Sequence, residues 1–335
     1  MSHNENIILL GHGSGGLLSK ELMLKYILPA FKNSTLEELS DSAVLDISKN
    51  KLAFSTDSFV VTPLFFNGGD IGKLAICGTI NDLAVSFAKP LYLSCSFIIE
   101  EGFSLDLFNK ILKSMANEAD KAGIKIVTGD TKVVEQGKAD KIFINTSGIG
   151  IIENYNTAKI CEGDLILING SLGDHGMTIY STRENLGIET DLKSDCANLS
   201  GMISAVLAEC NGVKFMRDPT RGGLASAGNE IVNEQNFGII LYEDKLNIKQ
   251  EVATLCAMLG FDPLHIANEG KVMMIISPEV AQKAVKIMKN FEEGKDACII
   301  GEITSSYKGK VILKTKFGTN RIVDMLTGNQ LPRIC

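Results

Sequence analysis

Residues 90–129 read PLYLSCSFIIEEGFSLDLFNKILKSMANEADKAGIKIVTG, and this stretch decides the class of fold. Its two ends, PLYLSCSFII and IKIVTG, are apolar runs of strand length. Between them, apolar residues recur at helical spacing, Ser104 can cap the start of the helix and Gly123 can end it. The stretch therefore predicts a strand, a helix and a second strand.

The same mixture of strands and helices is predicted on both sides of this stretch. Further strands are expected at NIILL, SAVLDI, KLAFST, KIFINTSGIGII, DLILING, VKFMR, KVMMIIS, DACIIGEI and KVILKT. Further helices are expected near residues 18–31, 70–87, 174–187, 198–210 and 221–235. Helices layered on sheets follow from this order, in an α/β or α+β fold.

A domain boundary is predicted where periodicity and apolar content both fall, in the segment ENYNTAKICEG from 153 to 163. We expect an N-terminal domain over 1–155 and a C-terminal domain over 156–320, sizes that are common for single domains. The last residues, DMLTGNQLPRIC, contain Gly and Pro and have no usable period. An irregular, mobile tail over 321–335 is therefore expected.

Composition restricts the class of protein. Of the 335 residues, 45% are hydrophobic and 22% are charged, as in ordinary globular proteins, and neither a basic leader nor a long apolar run is present. We expect a cytoplasmic protein. The net charge of −7, with no basic block, argues against nucleic acid and membrane as partners. None of the eight cysteines stands in C-x-x-C spacing, so a zinc or iron–sulfur site is not predicted.

The strongest chemical signal is a set of aspartates at strand ends or beside Gly, Thr, Ser or Asn. They are Asp41, Asp57, Asp82, Asp130 and Asp218. Magnesium is bound through carboxylate and phosphate oxygens, so several aspartates on short loops indicate Mg-ATP chemistry. Arg221 and Lys132 would then neutralise phosphate charge. Each aspartate taken alone can instead be a turn or cap residue.

A glycine-rich loop, GHGSGG at residues 11–16, follows the apolar run IILL and precedes a helical pattern. Glycine allows close approach and positive φ angles, so the backbone at Gly13, Gly15 and Gly16 can contact phosphate. A purely structural loop is the alternative. A dinucleotide-binding fold would also need an acidic residue ending the next strand, and the region FKNSTLEELSD is polar instead.

Two further residues are candidates for catalysis. Glu269, in HIANEGK, precedes a predicted strand and would be a general base if burial raised its pKa toward the working pH; the alternative is a solvated turn residue. Cys335 is the last residue of the sequence, and a thiol at the end of a mobile tail suits the transport of a covalent intermediate. The alternative is an incidental, frayed terminus.

Taken in order, these motifs resemble one protein family along essentially the whole chain. They are GHGSGG, STDS, IGKLAICGTINDLA, IVTGDTKVV, LGDHG, RDPTRGG, ANEGK and the final PRIC. The aspartate motifs alone are similar to a wider superfamily that includes aminoimidazole ribonucleotide (AIR) synthetase, selenophosphate synthetase and thiamine-monophosphate kinase. The final PRIC makes the sequence resemble the HypE family of hydrogenase maturation proteins.

The resemblance implies a two-domain PurM-like (AIR synthetase-like) fold whose N-terminal domain binds ATP and pairs in a homodimer. It implies a carbamoyl dehydratase, in which HypF places a carbamoyl group on Cys335 and ATP then drives its dehydration from S-carboxamide to S-cyanate. The cyano group would pass to a HypC–HypD complex as a cyanide ligand of the nickel–iron site of a hydrogenase.

The resemblance also implies roles for individual residues. Magnesium would be held by Asp41, Asp57, Asp82 and Asp218. The nucleotide would be bound by Gly13, Gly15, Gly16, Asp57, Asp82, Asp130, Thr131 and Arg221. Glu269 would remove protons from the carbamoyl nitrogen, with Lys132 as its electrostatic partner. The chain departs from the family pattern at Pro219, which restricts the backbone of Asp218.

Two other functions stay open on the sequence alone. The first is a related ATP-dependent kinase or synthetase that acts on a small molecule, for which the C-terminal cysteine would be incidental. The second is a non-catalytic scaffold that uses its terminal thiol to bind a partner or a metal, and such a protein would not need five aspartates on loops.

Overall fold

The computed structural model describes residues 7–9, 21–33, 51–152, 158–184, 191–233 and 235–325. Its helices are α1 (Leu28–Phe31, after a π turn at Met23–Ile27), α2 (Ile71–Val85), α3 (Leu105–Ala122), α4 (Asp174–Arg183), α5 (Ser200–Glu209), α6 (Gly223–Val232), α7 (Gln250–Leu259) and α8 (Pro278–Met288). Its strands are β1 (Lys51–Phe59), β2 (Phe65–Phe66), β3 (Gly69–Asp70), β4 (Lys89–Glu100), β5 (Lys125–Val134), β6 (Ile142–Ile152), β7 (Leu165–Ile168), β8 (Val213–Arg217), β9 (Gly238–Tyr242), β10 (Met273–Ile276), β11 (Cys298–Thr304), β12 (Val311–Lys314) and β13 (Asn320–Val323).

The strand, helix and strand predicted over 90–129 are confirmed as β4, α3 and β5, with β4 and β5 parallel. The hydroxyl of Ser104 accepts a hydrogen bond from the Leu107 amide at 3.4 Å, as an N-cap should. Gly123 ends the helix in the left-handed region at φ 67°, where glycine avoids a steric cost. Both helix ends therefore follow from single residues of the sequence.

The N-terminal sheet has the order β1-β6-β4-β5 among the described strands. One face is covered by α2 and α3, and alternate residues of β4, from Leu93 to Ile99, are buried against these helices. The other face is open within the described chain: Phe54 is 67% exposed, and Leu52 and Ile98 are also exposed. The sheet therefore has one packed face and one partly apolar face.

The C-terminal sheet has the order β13-β12-β9-β11-β7-β10-β8, and only the β9–β12 pairing is parallel in the described residues. Helices α5 and α8 pack on one face of it and α6 packs on the other. Together the two sheets with their helices confirm the expected α/β class.

The two sheets lie side by side because α2 contributes to both cores. Most of its apolar residues pack under the N-terminal sheet, while Ala84 and Val85, near its end, pack with α5 and α8 of the C-terminal part. Among the described helices, none is long and apolar enough to span a bilayer. The junction between the two parts places the end of β1 and the middle of α2 opposite the turn between β8 and α6.

Some sequence predictions fall outside what the structure describes. The strand SAVLDI, the loop GHGSGG and the C-terminal residues 326–335 lie there. Of the strand NIILL only Ile7–Leu9 is described, and Ile7 forms an isolated bridge with Ser104.

Candidate functional site

A cavity of about 330 Å³ lies at the junction of the two sheets, between β1 and α2 on one side and the β8–α6 turn on the other. We call it the acidic cavity, because four carboxylates of the predicted site line it together with an arginine. They are Asp57, Asp82, Asp218, Glu269 and Arg221. Two elements of the N-terminal part and two loops of the C-terminal part are thus needed to build it.

Asp57 and Asp82 come from adjacent elements of the N-terminal part. Asp57 is near the end of β1, and one of its carboxylate oxygens accepts a hydrogen bond from the Ser58 amide at 2.9 Å. Asp82 is in α2 and accepts a hydrogen bond from the Ser55 hydroxyl at 2.7 Å. Burial raises the pKa of Asp57, against the opposing effects of the Ser58 amide and the charge of Arg221.

Asp82 has a strongly raised pKa. Burial, followed by the negative charge of Asp218, raises the pKa of Asp82 to about 6, and the Ser55 hydrogen bond and Arg221 oppose the increase. Like charges that share a cavity favour protonation of one of them. A cation bound beside Asp82 and Asp218 would therefore favour the charged form of both carboxylates.

Asp218 enters the acidic cavity from the turn between β8 and α6. Burial raises the pKa of Asp218 as well. The carbonyl of the next residue, Pro219, accepts hydrogen bonds from the side-chain nitrogen and the amide of Asn268, at 2.9 and 3.2 Å. Gly223 has φ 60°, and a Cβ there would meet the Ile266 carbonyl at 2.5 Å, so the turn packs tightly on the loop before Glu269.

Glu269 is 5% exposed and lines the acidic cavity. Its Oε1 atom is buried and has no hydrogen-bond partner among the described residues. Burial is the main cause that raises the pKa of Glu269 well above its ordinary value, and the charges of Asp195, Asp218 and Asp57 add to it. A buried carboxyl with a raised pKa that lines a polar cavity is typical of an acid–base group.

The structure does not bring Asp130, Thr131 and Lys132 into the acidic cavity of the same chain. One register row crosses the N-terminal sheet from Asp57 in β1 to Gly129 in β5 through three strand pairings. Three interstrand spacings amount to about 14 Å. Asp130 and Lys132 form an exposed ion pair at 3.4 Å at this far edge.

Five of the predicted site residues lie outside the described part of the chain. They are Gly13, Gly15, Gly16, Asp41 and Cys335. Their roles stay predictions.

Three residues that the sequence did not single out support the site from behind. Lys271, two residues after Glu269, forms a buried ion pair with Asp195 at 2.8 Å. Asn81 precedes Asp82 in α2 and hydrogen-bonds to the C-terminal part. In the sequence, Asn81 could have been found as a polar residue directly before the predicted metal ligand Asp82. Nothing in the sequence around Asp195 indicates its role.

The residues of the acidic cavity fit magnesium bound together with a nucleotide. Within the described ranges, no cluster of three or more His, Cys, Asp or Glu side chains is close enough to form a metal site by itself. Magnesium seldom uses such all-protein sites, because it keeps waters and binds one or two carboxylates together with substrate phosphates. The raised pKa values of Asp57, Asp82 and Asp218 agree with an acidic site that a cation would neutralise.

Comparison with known proteins gives full-length matches. The N-terminal domain of AIR synthase related proteins matches residues 39–152, and the C-terminal domain of the same proteins matches residues 162–314. Carbamoyl dehydratase HypE of Rhodobacter capsulatus is 44% identical over 341 residues, covering 100% of both chains.

Solved structures give the same result. A crystal structure of the hydrogenase maturation protein HypE in complex with ATP is similar at a TM-score of 0.93 and 42% identity, covering 98% of this chain and 99% of that one. A crystal structure of a HypE–HypF complex is similar at a TM-score of 0.78 and 48% identity, covering 93% of this chain and 100% of that one.

Proposed function

Because this chain belongs to the HypE family of AIR synthase related proteins, we propose that it is an ATP-dependent carbamoyl dehydratase of hydrogenase maturation. Its substrate would be a carbamoyl group carried as a thioester-like S-carboxamide on its own Cys335. The products would be the S-cyanate, ADP and phosphate, and the S-cyanate would supply the cyanide ligands of a nickel–iron active site.

The observation that carries the proposal is the combination of two kinds of carboxyl in the acidic cavity. Asp57, Asp82 and Asp218 supply negative charge that suits a magnesium nucleotide, and Glu269 supplies a buried acid–base group beside them. Phosphoryl transfer needs the first kind, because positioning and neutralisation of charge dominate its catalysis. Removal of protons from nitrogen needs the second kind.

The reaction balances in two steps. The carbamoyl oxygen attacks the γ-phosphorus of ATP, a P–O bond to ADP breaks, and an O-phosphorylated imidate forms with loss of one proton from nitrogen. The second N–H proton is then removed while the C–O bond breaks, so phosphate leaves and the C≡N bond is complete. Magnesium, when bound, neutralises the phosphate oxygens during the first step.

Glu269 is the group that we assign to proton removal. Burial raises the pKa of Glu269, and nearby negative charges raise it further, so the protonated form is favoured more than in water. Positive charge brought near Asp57 and Asp218 opposes the second of these effects, so the pKa of Glu269 falls and its ionised form becomes available. Arg221, which also lines the acidic cavity, contributes a fixed positive charge for phosphate.

We further propose a homodimer formed through the open face of the N-terminal sheet. Exposed apolar side chains on that face, Leu52, Phe54 and Ile98, would be removed from water by a second copy. Lys132 is paired in register with Ile98 and its side chain is 65% exposed on the same side of the sheet. Asp130 and Lys132, on the open side of the sheet, would therefore serve the acidic cavity of the partner copy and not that of their own chain.

The C-terminal segment starts close enough to reach the acidic cavity. The Asp324 carbonyl is hydrogen-bonded to His265 Nε2 at 2.9 Å, and His265 is four residues before Glu269. Cys335 is eleven residues after Asp324, and such a length spans at most about 40 Å. We propose HypF as the donor of the carbamoyl group, since a related HypE was crystallised with HypF, and a HypC–HypD complex as the acceptor of cyanide.

The experiment that tests the function follows the mass of the C-terminal peptide. The protein is incubated with HypF, carbamoyl phosphate and MgATP, HypF is removed, and the peptide is analysed by mass spectrometry. We expect the peptide of the unaltered chain to carry a cyano group, one water lighter than the carbamoylated form. Glu269→Gln should accumulate the carbamoylated form, and Cys335→Ala should carry neither group. A carbamoylated peptide that the unaltered chain fails to dehydrate with ATP would contradict the proposal.

A further inference from the structure

We propose that Asp195 is the positioning residue of Glu269, with Lys271 as its counter-ion and Asn81, in α2, as a second support. We call these three residues the Asp195 cluster. The inference rests on the proposed role of Glu269, because a positioning residue acts only through the group that it holds.

The position of the Glu269 carboxyl depends on the backbone that carries it. Its buried Oε1 atom has no hydrogen-bond partner among the described residues. Its direction into the acidic cavity is therefore set by its rotamer and by the backbone at 269–271. Whatever holds that backbone determines where the carboxyl lies.

Asp195 fixes this backbone through hydrogen bonds from its amides. One carboxylate oxygen accepts a hydrogen bond from the Glu269 amide at 3.2 Å, and the other accepts hydrogen bonds from the Gly270 amide at 3.4 Å and from Lys271 Nζ at 2.8 Å. Burial is the largest single influence on Asp195 and opposes its ionisation. The charges of Lys271 and His175 and the hydrogen bonds from Lys271 and the Glu269 amide together outweigh it and lower the pKa of Asp195. The carboxylate is thus charged in the interior, and it accepts hydrogen bonds from three consecutive residues.

Gly270 shows how closely the two segments approach. A Cβ at this glycine would lie 1.9 Å from the Asp195 carbonyl oxygen and 3.0 Å from the Ala197 amide nitrogen. These contacts are with backbone atoms, which cannot move aside as a flexible side chain does. The loop that carries Glu269 therefore rests directly on the segment 195–197.

Asn81 extends this support across the junction of the two sheets. Its side-chain nitrogen donates to the carbonyls of Ala197 and Glu269, at 2.9 and 3.3 Å, and its oxygen accepts from the Leu199 amide at 2.8 Å. Because Asn81 precedes Asp82 in α2, one residue fixes the position of Glu269 relative to a predicted metal ligand. The acid–base group and the phosphate side of the acidic cavity are thereby tied to each other.

The test compares Asp195→Asn and Asn81→Ala with the unaltered chain. A displacement of about 1 Å at a reacting group costs up to about 100-fold in rate. We expect the single-turnover rate of dehydration of the carbamoylated peptide to fall by ~10- to 100-fold in each variant, while the dissociation constant for MgATP stays within about twofold. Neither change removes a ligand that we assign to the nucleotide.

A matched control separates positioning from loss of stability. Lys214 and Asp164 form another buried ion pair in the C-terminal part, at 2.8 Å, and neither lines the acidic cavity. The double variants Asp195→Asn/Lys271→Met and Asp164→Asn/Lys214→Met each remove one buried pair. We expect similar decreases in Tm, with the slow dehydration confined to the first double variant. Equal rates in the two would overturn the inference.

A double-mutant cycle separates this inference from the function on which it rests. If Asp195 acts through Glu269, then Asp195→Asn adds almost no further loss of rate to Glu269→Gln. Rate losses that multiply would show that Asp195 acts elsewhere and would overturn the inference. Full activity of Glu269→Gln would instead remove Glu269 from the mechanism, and so the basis of the inference with it. Full activity of Asp195→Asn beside a slow Glu269→Gln would refute only the positioning role.

Discussion

The charged form of Asp82 destabilises the ligand-free folded protein, so replacing Asp82 should raise the free energy of unfolding. Burial and the charge of Asp218 raise its pKa from 3.8 to about 6, so the charged form is disfavoured in the folded state. The difference corresponds to about 3 kcal/mol at most, since each pKa unit is worth about 1.4 kcal/mol. Asp82→Asn keeps an oxygen that can accept the Ser55 hydrogen bond and removes the charge.

The sign of the pH dependence follows from the direction of this pKa change. The folded state binds the proton more tightly than the unfolded state does, so Asp82 makes the chain less stable as pH rises from about 3.8 to about 6. We expect Asp82→Asn to raise the free energy of unfolding by about 3 kcal/mol at pH 8 and by only about 1.5 kcal/mol at pH 5. Below both pKa values, the difference should vanish.

Urea unfolding at fixed protein concentration, without nucleotide or divalent cation, measures both values. Asp296→Asn is the control, because Asp296 is exposed and does not line the acidic cavity. Asp82→Asn should also lose the stabilisation that MgATP gives to the unaltered chain, whereas Asp296→Asn should keep it. A gain that is absent at pH 8, or equal at pH 5 and pH 8, would refute the electrostatic reasoning.

Three further outcomes are expected. Phe54→Glu places a charge on the open face of the N-terminal sheet, so analytical ultracentrifugation should show weaker self-association; an unaltered dimer would exclude this face as the interface. Gly270→Ala forces a Cβ against the Asp195 carbonyl at 1.9 Å. Thermal unfolding should show a loss of stability of several kcal/mol, on the order of other severe core changes. A Tm within 2–3 °C of that of the unaltered chain, about 1 kcal/mol for a chain of this size, would contradict the described packing. Ser104→Ala removes the cap of α3 and should lower the free energy of unfolding by about 1 kcal/mol. Ser114→Ala, in the same helix, removes a hydrogen bond to Asp70 at the start of α2 and leaves the cap of α3 intact as a comparison.

The elements that local rules specify were predictable from the sequence. α3 has a cap, a period and a terminating glycine, and each of these signals is contained in a few neighbouring residues. The strand β9, GIILY, carries only a short apolar run between polar segments, which does not distinguish a strand from a helix. β13, NRIV, is mostly exposed and owes its conformation to pairing with β12. α8 was missed although Pro278 at its start and its apolar spacing were readable.

The candidate site divides in the same way. Asp57, Asp82, Asp218 and Glu269 were named from the sequence because each follows a strand or stands in a distinctive motif, and the structure brings them to one cavity. Asp195 was not named, since its importance depends on the amides of residues 74 and 75 positions later in the chain. The separation of about 14 Å between Asp57 and the Asp130 edge of the N-terminal sheet could not be predicted from the sequence either, because it depends on strand order and register.

The contact of Gly270 with residues 195–197 makes two distant stretches of sequence a single unit for mutation. A side chain at 270 is tolerated only if the backbone at 195–197 retreats, and that retreat withdraws the carboxylate which orients Glu269. We therefore expect stepwise substitution at either stretch to pass through slower or less stable intermediates. Redesign of the chain toward another substrate would have to exchange both stretches together.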